Sequence, residues 1–461
     1  MAQTRRQFLR HAACGTLSAS ALLAGLGRFA LIDVLAKPPS GGGYKALVCI
    51  FLFGGNDSNN IVIPIDDYSL YANVRGSSGI AIPQADLHPI LPPSVGRQFG
   101  LHPALAELQS LWLRKKLAIV CNSGTLTTPL TRNEYLAGAG RPYQLFSHSD
   151  QQNQWQTAYA TNPIGTGWAG RVADETSAIN GDGRFPVIAS VAGVTVFSTG
   201  ASTRPIVLSP APTPLNQTLR LLKSDQALLD VLLGDEEDVM PTLVKSAARV
   251  TSQAVDNSLL LNTNPSLLTA FPNTSLGNQL KQIAKLIKLA TQSSSLGLNR
   301  QIFFCSLGGF DTHFNQGNIA GAQASLLKQV SQAMNAFYDA TVELGVASQV
   351  TTFTASDFSR TFKPAGTGAA TGTDHAWGSH HFVMGAGVAG GDFYGRYPSL
   401  ELGGANDADA GSSARGRWIP TTSVDQYAAT LALWYGLPSS ELRTVFPNIG
   451  NFTKAVLDFM L

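Results

Sequence analysis

Three observations predict an α/β layered fold for this chain. Short apolar runs rich in β-branched residues recur along it, as expected of strands buried on both faces of a mostly parallel sheet. Amphipathic helical patterns alternate with those runs. Polar, glycine-rich segments follow directly after several of them, which is where ligands bind in sheets of this kind.

The N-terminus is a separate matter. Thr4-Arg5-Arg6-Gln7-Phe8-Leu9 is a paired-arginine core, followed by a weakly apolar run from about Ala12 to Leu26 and by Val34-Leu35-Ala36. A basic start, an apolar middle and small residues at the cut are the order of a signal peptide, and paired arginines select the twin-arginine route. Residues 1–36 are therefore expected to be read by the twin-arginine translocase and removed after Ala36, leaving a periplasmic or secreted protein. That route carries chains already folded, so a metal or cofactor taken up before export is in keeping with it. The apolar run is too short and too rich in glycine to span a bilayer, and no later stretch reaches membrane length without a charge or a Gly/Pro break. Residues 37–43 read as a Pro/Gly/Ser tether and 44–461 as the mature domain.

Within that domain, strands are expected over Lys45 to Phe53, Leu117 to Asn122, Val187 to Val191, Ile302 to Leu307, Val350 to Ala355 and His381 to Met384. Helical periodicity covers Pro103 to Lys116, Leu215 to Leu233, Leu280 to Ala290, Ala320 to Leu344 and Ser423 to Tyr435, the last with Ser423 as N-cap. The helix-rich stretch from about 213 to 298 interrupts the strand pattern and reads as an insertion. Formal charge is +2, and the signal segment alone holds four arginines and one aspartate, so the mature chain sits near −1. No concentrated basic face is available, which argues against nucleic acid as a partner. Cys14 leaves with the signal, and Cys49, Cys121 and Cys305 sit in strand-like runs as small hydrophobes, not as a disulfide framework.

The chemistry-bearing residues gather after the strands. Asp57 follows the first in Gly54-Gly-Asn-Asp57, Asp311 and His313 follow Ile302 to Leu307 in Gly308-Gly-Phe-Asp-Thr-His313, and Asp357 follows Val350 to Ala355. If these strands are parallel, the three aspartates meet at one edge. Thr373-Asp-His-Ala-Trp-Gly-Ser-His-His381 adds His375, His380 and His381. Imidazole and carboxylate together are the usual ligands of zinc and similar divalent ions, and two such ions would hold the attacking and leaving oxygens of an ester. Asp57 suits a tight turn equally well, Asp357 a helix cap, and Arg360 either a bidentate anion contact or, slightly preferred, a carboxylate pair. In Ser147-His-Ser-Asp150, a hydroxyl of Ser147 or Ser149 at a helix N-terminus would be a nucleophile or, more often in such places, a plain cap. No G-x-S-x-G elbow, phosphate-binding P-loop, His-Glu-x-x-His helix or dinucleotide fingerprint is present.

Taken in order, Phe53-Gly-Gly-Asn-Asp57, Leu101-His-Pro-Ala-Leu105, Ser147-His-Ser-Asp150 with Trp155, Gly167-Trp-Ala-Gly-Arg171, Gly309-Phe-Asp-Thr-His313, Ser356-Asp-Phe-Ser-Arg-Thr361, Thr373 to Phe382 and Val424-Asp-Gln-Tyr427 resemble the DUF1501 family. The set covers nearly the whole mature chain. The family is grouped with the alkaline phosphatase and sulfatase clan, so the resemblance implies a three-layer α/β sandwich, alkaline phosphatase-like. It also implies a site of divalent metal (zinc, manganese, magnesium or calcium) held by Asp57, Asp311, His313, Asp357, His375 and His380 or His381, with Ser147 or Ser149 as nucleophile. The clan carries an Asp-His pair after a later strand; here Asp357 is followed by Phe358. The expected activity is metal-dependent hydrolysis of a phosphate or sulfate ester, on a small molecule or a glycan. The competing expectation is a non-catalytic envelope or binding protein with an altered site.

Overall fold

The computed structural model describes residues 43–461, apart from 162, 182–184, 219–255, 258, 293–295 and 367. The expected signal peptide, nearly all of the tether and most of the expected helix from Leu215 to Leu233 lie outside the described residues. The chain divides into two compact units, Met1–Lys37 with Leu221–Leu259, and Pro38–Arg220 with Leu260–Leu461. Almost all of the first lies outside the described residues; the second carries the fold and the site.

Twelve strands occur among the described residues: β1 (Lys45–Leu52), β2 (Val62–Pro64), β3 (His88–Ile90), β4 (Phe99–Leu101), β5 (Leu117–Gly124), β6 (Ile188–Ser190), β7 (Ile206–Val207), β8 (Arg300–Leu307), β9 (Val350–Ser356), β10 (Ser379–Met384), β11 (Phe393–Gly395) and β12 (Thr422–Ser423). Nine form the central sheet in the order β11-β5-β10-β9-β1-β8-β6-β7, with β12 also on β5, while β2, β4 and β3 make a small separate sheet. The pairs β9–β1, β1–β8, β8–β6 and β6–β7 are parallel. Among the described residues of the central sheet, only β10 runs against its neighbours, β9 and β5. The main helices are α1 (Tyr68–Arg75), α2 (Ala106–Leu113), α3 (His148–Thr157), α4 (Trp168–Thr176), α5 (Ser275–Gln292), α6 (Ala322–Glu343) and α7 (Val424–Tyr435).

β1 shows why the apolar run has no alternation. Ala46, Val48, Ile50 and Leu52 point into one core with α2, α5 and α6, whereas Leu47, Cys49 and Phe51 point into the other with α3, α4 and α7. Successive side chains of a strand face opposite ways, so a strand covered on both faces is apolar throughout. The result is a three-layer α/β sandwich, as the sequence predicts. Each buried Leu, Ile or Phe of β1 contributes about 1.5–3 kcal/mol relative to exposure. Helix α7 starts at Ser423 through a capping box: the Gln426 N–H donates to Ser423 Oγ at 3.0 Å and the Ser423 N–H to Gln426 Oε1 at 2.9 Å, which removes two orphan donors. Cys49, Cys121 and Cys305 are free and buried. No helix among the described residues is long and apolar enough to cross a membrane.

Candidate metal centre

The three parallel strands β9, β1 and β8 lie side by side, so the loops after them share one edge. Two glycines bring those loops into contact. Gly54 has φ +111, and a Cβ on it would lie 2.4 Å from the backbone nitrogen of Asp311; a side chain there would drive the β1 and β8 loops apart. The Gly54 N–H donates to both carboxylate oxygens of Asp357 at 3.3 Å. Gly372 plays the same part farther on: an added Cβ would lie 2.2 Å from the carbonyl carbon of His313. There the Thr373 N–H donates to Thr312 O at 3.0 Å, which lays Asp374 and His375 beside Asp311 and His313. The first turn of α3 completes the group by supplying His148.

The side chains converge on Asp311. Its Oδ1 is 3.1 Å from His313 Nε2, 3.4 Å from His375 Nε2 and 3.5 Å from His148 Nε2. His313 Nε2 and His375 Nε2 are 3.0 Å apart. The far nitrogen of each ring is held: His148 Nδ1 by Asp357 at 2.7 Å, His313 Nδ1 by Asp374 at 3.0 Å and His375 Nδ1 by the Phe146 carbonyl at 2.8 Å. One ligand atom from each of His148, Asp311 and His375 lies within 4.8 Å of the other two, a spacing that suits a metal ion. Arg360 is buried and donates to Asp311 Oδ1 at 2.6 Å, to the Gly54 carbonyl at 3.3 Å and to the Thr373 carbonyl. It pairs with a carboxylate, and every guanidinium nitrogen has a partner within the protein, Nε meeting Thr373 Oγ1 at 3.3 Å.

The remaining candidates sit elsewhere. Asp57 is on the expected edge, but its carboxylate accepts from Arg75 Nη1 at 2.6 Å, from Gln316 Nε2 at 2.7 Å and from Asn59 N at 3.1 Å. It is a buried ion pair and turn cap, saturated by donors. Asp357 is buried and accepts from His148, from Gln152 at 2.8 Å and from Gly54; it orients a ligand instead of facing the cluster. Ser147 Oγ donates to Asp150 Oδ2 at 2.5 Å and lies 3.2 Å from Ser149 Oγ, with no side-chain cap bond to α3. His380 and His381 are not brought to the cluster. Both are buried in β10, where His380 Nδ1 accepts from the Asn122 N–H at 3.0 Å and the His381 ring packs on Trp155 at 4.6 Å and Tyr427 at 5.9 Å. The alternation of the strand sends one to each face, and both faces are covered.

Charge balance follows from these contacts. The hydrogen bond that His148 donates to Asp357 raises the His148 pKa against the cost of burial, while burial lowers that of His375 despite the Phe146 carbonyl. Burial works to raise Asp311, yet Arg360 and the imidazoles outweigh it and hold the carboxyl below its ordinary value. Asp374 is lowered likewise, burial being outweighed by Arg415 and His313. Such a site can hold a cation next to a carboxylate that stays ionised.

His148 is not among the ligands the sequence predicts, although it lies within Ser147-His-Ser-Asp150. The hydroxyls drew attention to a helix N-terminus, whereas the working atom is the ring between them. Its one sequence signal is a histidine at the first position of a helix within a polar segment. The Asp357 carboxylate that aims it is 209 positions away.

Fold and cluster together define an α/β protein with a histidine-rich candidate metal site at the C-terminal edge of its parallel strands. A family model described as "Protein of unknown function (DUF1501)" matches residues 44–411. The chain belongs to the DUF1501 family. No curated protein matches its sequence. Among solved structures, it is similar to the lipoteichoic acid synthase LtaP from Listeria monocytogenes (7% identity over 86% of this chain and 72% of that one, TM-score 0.33). It is also similar to the PsFucS1 sulfatase from Pseudoalteromonas sp. (10%, 85% and 68%, TM-score 0.28). A third likeness is to the C-terminal periplasmic domain of EcEptC from Escherichia coli, crystallised with Zn (9%, 76% and 74%, TM-score 0.30).

Proposed function

We propose that this chain is an exported, metal-dependent hydrolase of phosphate or sulfate esters, acting on a small molecule or a glycan. The observation that carries the reading is the convergence of His148, His313 and His375 on Asp311 at the C-terminal strand edge. The donor set fits a divalent ion: the buried His148 Nε2 has no hydrogen-bond partner while its other nitrogen is engaged. A divalent ion there supplies polarisation of an ester oxygen and a more acidic bound water. The chain's own residues do the rest. Arg360 fixes Asp311, and Asp357, Asp374 and the Phe146 carbonyl fix the rings. Arg415, paired with Asp374 at 2.5 Å, and Arg417, paired with Asp409 at 2.9 Å and donating from Nε to the His375 carbonyl at 2.9 Å, set two guanidinium groups beside the cluster.

The test is hydrolysis of chromogenic phosphate and sulfate esters by the purified protein with zinc, manganese, magnesium or calcium supplied in turn. Turnover that Asp311→Ala abolishes supports the reading. A bound ion without turnover on any ester moves the reading to a non-catalytic envelope or binding protein. Two observations favour that second reading: Asp57 is spent on Arg75, and Phe358 stands where the clan carries a histidine. Export by the twin-arginine translocase belongs to the same proposal and rests on Arg5-Arg6. A reporter fused behind residues 1–43 should reach the periplasm, and replacing both arginines by lysine should hold it in the cytoplasm.

A further inference from the structure

We infer that the cluster is a single nitrogen-rich centre for a zinc-class ion, with Nε2 of His148, His313 and His375 and a carboxylate oxygen of Asp311 as ligands, and Asp357, Asp374 and the Phe146 carbonyl as positioning acceptors. This rests on the metal reading above and adds the kind of ion, the number of ions and the fourth ligand.

Hydrogen-bond direction assigns the tautomers. The Phe146 carbonyl only accepts, so His375 carries its proton on Nδ1. Asp357 also takes hydrogen bonds from Gly54 N and Gln152 Nε2, and Asp374 pairs with Arg415. Both carboxylates accept from other donors, so His148 and His313 donate to them from Nδ1. A neutral imidazole with its proton there presents a lone pair at Nε2. In their neutral forms the three rings thus turn lone pairs toward a carboxylate oxygen, and two of the nitrogens are only 3.0 Å apart. That arrangement repels itself unless a proton or a metal cation sits among them.

The spacing fits such a cation, and the ligand type selects its class. Bonds of about 2.0–2.2 Å to zinc put tetrahedral neighbours about 3.3–3.5 Å apart. Four of the six separations among these atoms, 3.0, 3.1, 3.4 and 3.5 Å, lie around that value, and the ligand atoms of His148 and His375 lie within 4.8 Å of each other. Three imidazoles suit zinc or cobalt, whereas magnesium and calcium prefer shells of oxygen. Asp311 Oδ1 accepts from Arg360 and keeps a second lone pair for an ion. Each ring has its outer nitrogen bound to a carboxylate or carbonyl, the arrangement that fixes and strengthens a metal-bound imidazole. Asp57, saturated by Arg75 and Gln316, is not free to hold a second ion.

The full chain, purified without a histidine tag and stripped with a chelator, should be titrated with zinc, cobalt(II), magnesium and calcium by calorimetry, with cobalt also followed by its visible absorption. The inference expects one equivalent of zinc or cobalt, a tetrahedral-type cobalt spectrum, and no competition from excess magnesium. Asp357→Asn should weaken zinc by about 10–100-fold. If that buried variant does not fold, His313→Ala, on a half-exposed side chain, should weaken zinc at least tenfold and change the cobalt spectrum. Two equivalents, preference for magnesium or calcium, or zinc affinity untouched by His313→Ala would overturn it. Ester turnover is no part of the readout. One zinc without hydrolysis leaves this inference standing and removes the hydrolase, whereas magnesium-driven hydrolysis does the reverse.

Discussion

Asp57 and Asp311 follow adjacent parallel strands, both after glycine-rich turns, and in sequence they look alike. In the structure their fates diverge. Asp57 is buried and meets a full set of donors, led by the buried guanidinium of Arg75. Asp311 keeps 44% of its side chain exposed and faces three imidazole nitrogens. The lesson is that a strand-end carboxylate becomes a candidate site through what it lacks. Arg75, Asn59 and Gln316 leave Asp57 nothing to offer an ion, whereas the rings around Asp311 place three imidazole nitrogens beside it.

Removing the arginine from the saturated region should give the largest effect. Arg75→Ala leaves the Asp57 carboxylate buried without its main counter-charge, for a loss of about 3–5 kcal/mol. A urea unfolding curve reads this directly. A loss under about 1 kcal/mol would mean that water relaxes into the gap and that the ion pair is not what holds the β1 loop. The mirror change at the open region should cost less. Asp311→Ala leaves the buried Arg360 guanidinium without its carboxylate, but water can reach the vacated, partly exposed position and the carbonyls of Gly54 and Thr373 remain, so the loss should be about 1–3 kcal/mol. It should nevertheless eliminate metal binding, measured as metal content after gel filtration. Retained metal with full stoichiometry would sink the assignment of Asp311 as a ligand.

The histidines make the same contrast. Those of the cluster have partners for their outer nitrogens, whereas His380 and His381 are enclosed in β10 and burial lowers their pKa to about 3. The sign is then set. Between about pH 3 and 6.5 the unfolded chain binds protons that the folded chain refuses, so this stability is complete above about pH 6.5 and drains away as pH falls. Each ring contributes at most about 1.4 kcal/mol per pH unit in that window. Asp311 and Asp374, whose pKa values are lowered, add their own loss only below about pH 4. Denaturant unfolding between about pH 7 and pH 4 should show the slope, and His381→Phe, which fits between Trp155 and Tyr427, should flatten it. An unchanged slope in that variant would assign the acid sensitivity to other groups.

Much of this was legible beforehand. Continuous apolar runs located β1, β5, β8 and β9, because burial on both faces erases alternation, and Ser423 announced α7 through its cap. Parallel strands sharing an edge bring Asp57, Asp311 and Asp357 to one side, as the sequence predicts, whereas His375 joins them only in what the resemblance implies. What could not be read was orientation. Nothing in His380-His381 reveals that both faces of β10 are covered, and Asp57 reads as a ligand until Arg75, from a helix outside the sheet, is placed upon it. His148 becomes visible only when Asp357 holds its ring, a pairing made by the tertiary fold.

The smallest effect concerns Ser147, at the start of α3 beside His148. Its hydroxyl donates to Asp150, a residue of the same first turn, and caps no backbone N–H of the helix. Ser147→Ala should therefore cost under about 0.5 kcal/mol, less than the loss of a true N-cap. If the proposed hydrolysis draws its nucleophile from water held at the cluster, this variant should keep turnover within about twofold. Single-turnover measurements on a chromogenic ester separate the alternatives. A variant without turnover but with full metal content would make the serine the nucleophile and turn Asp150 into its base. A variant with both retained leaves the chemistry with His148, Asp311, His313 and His375.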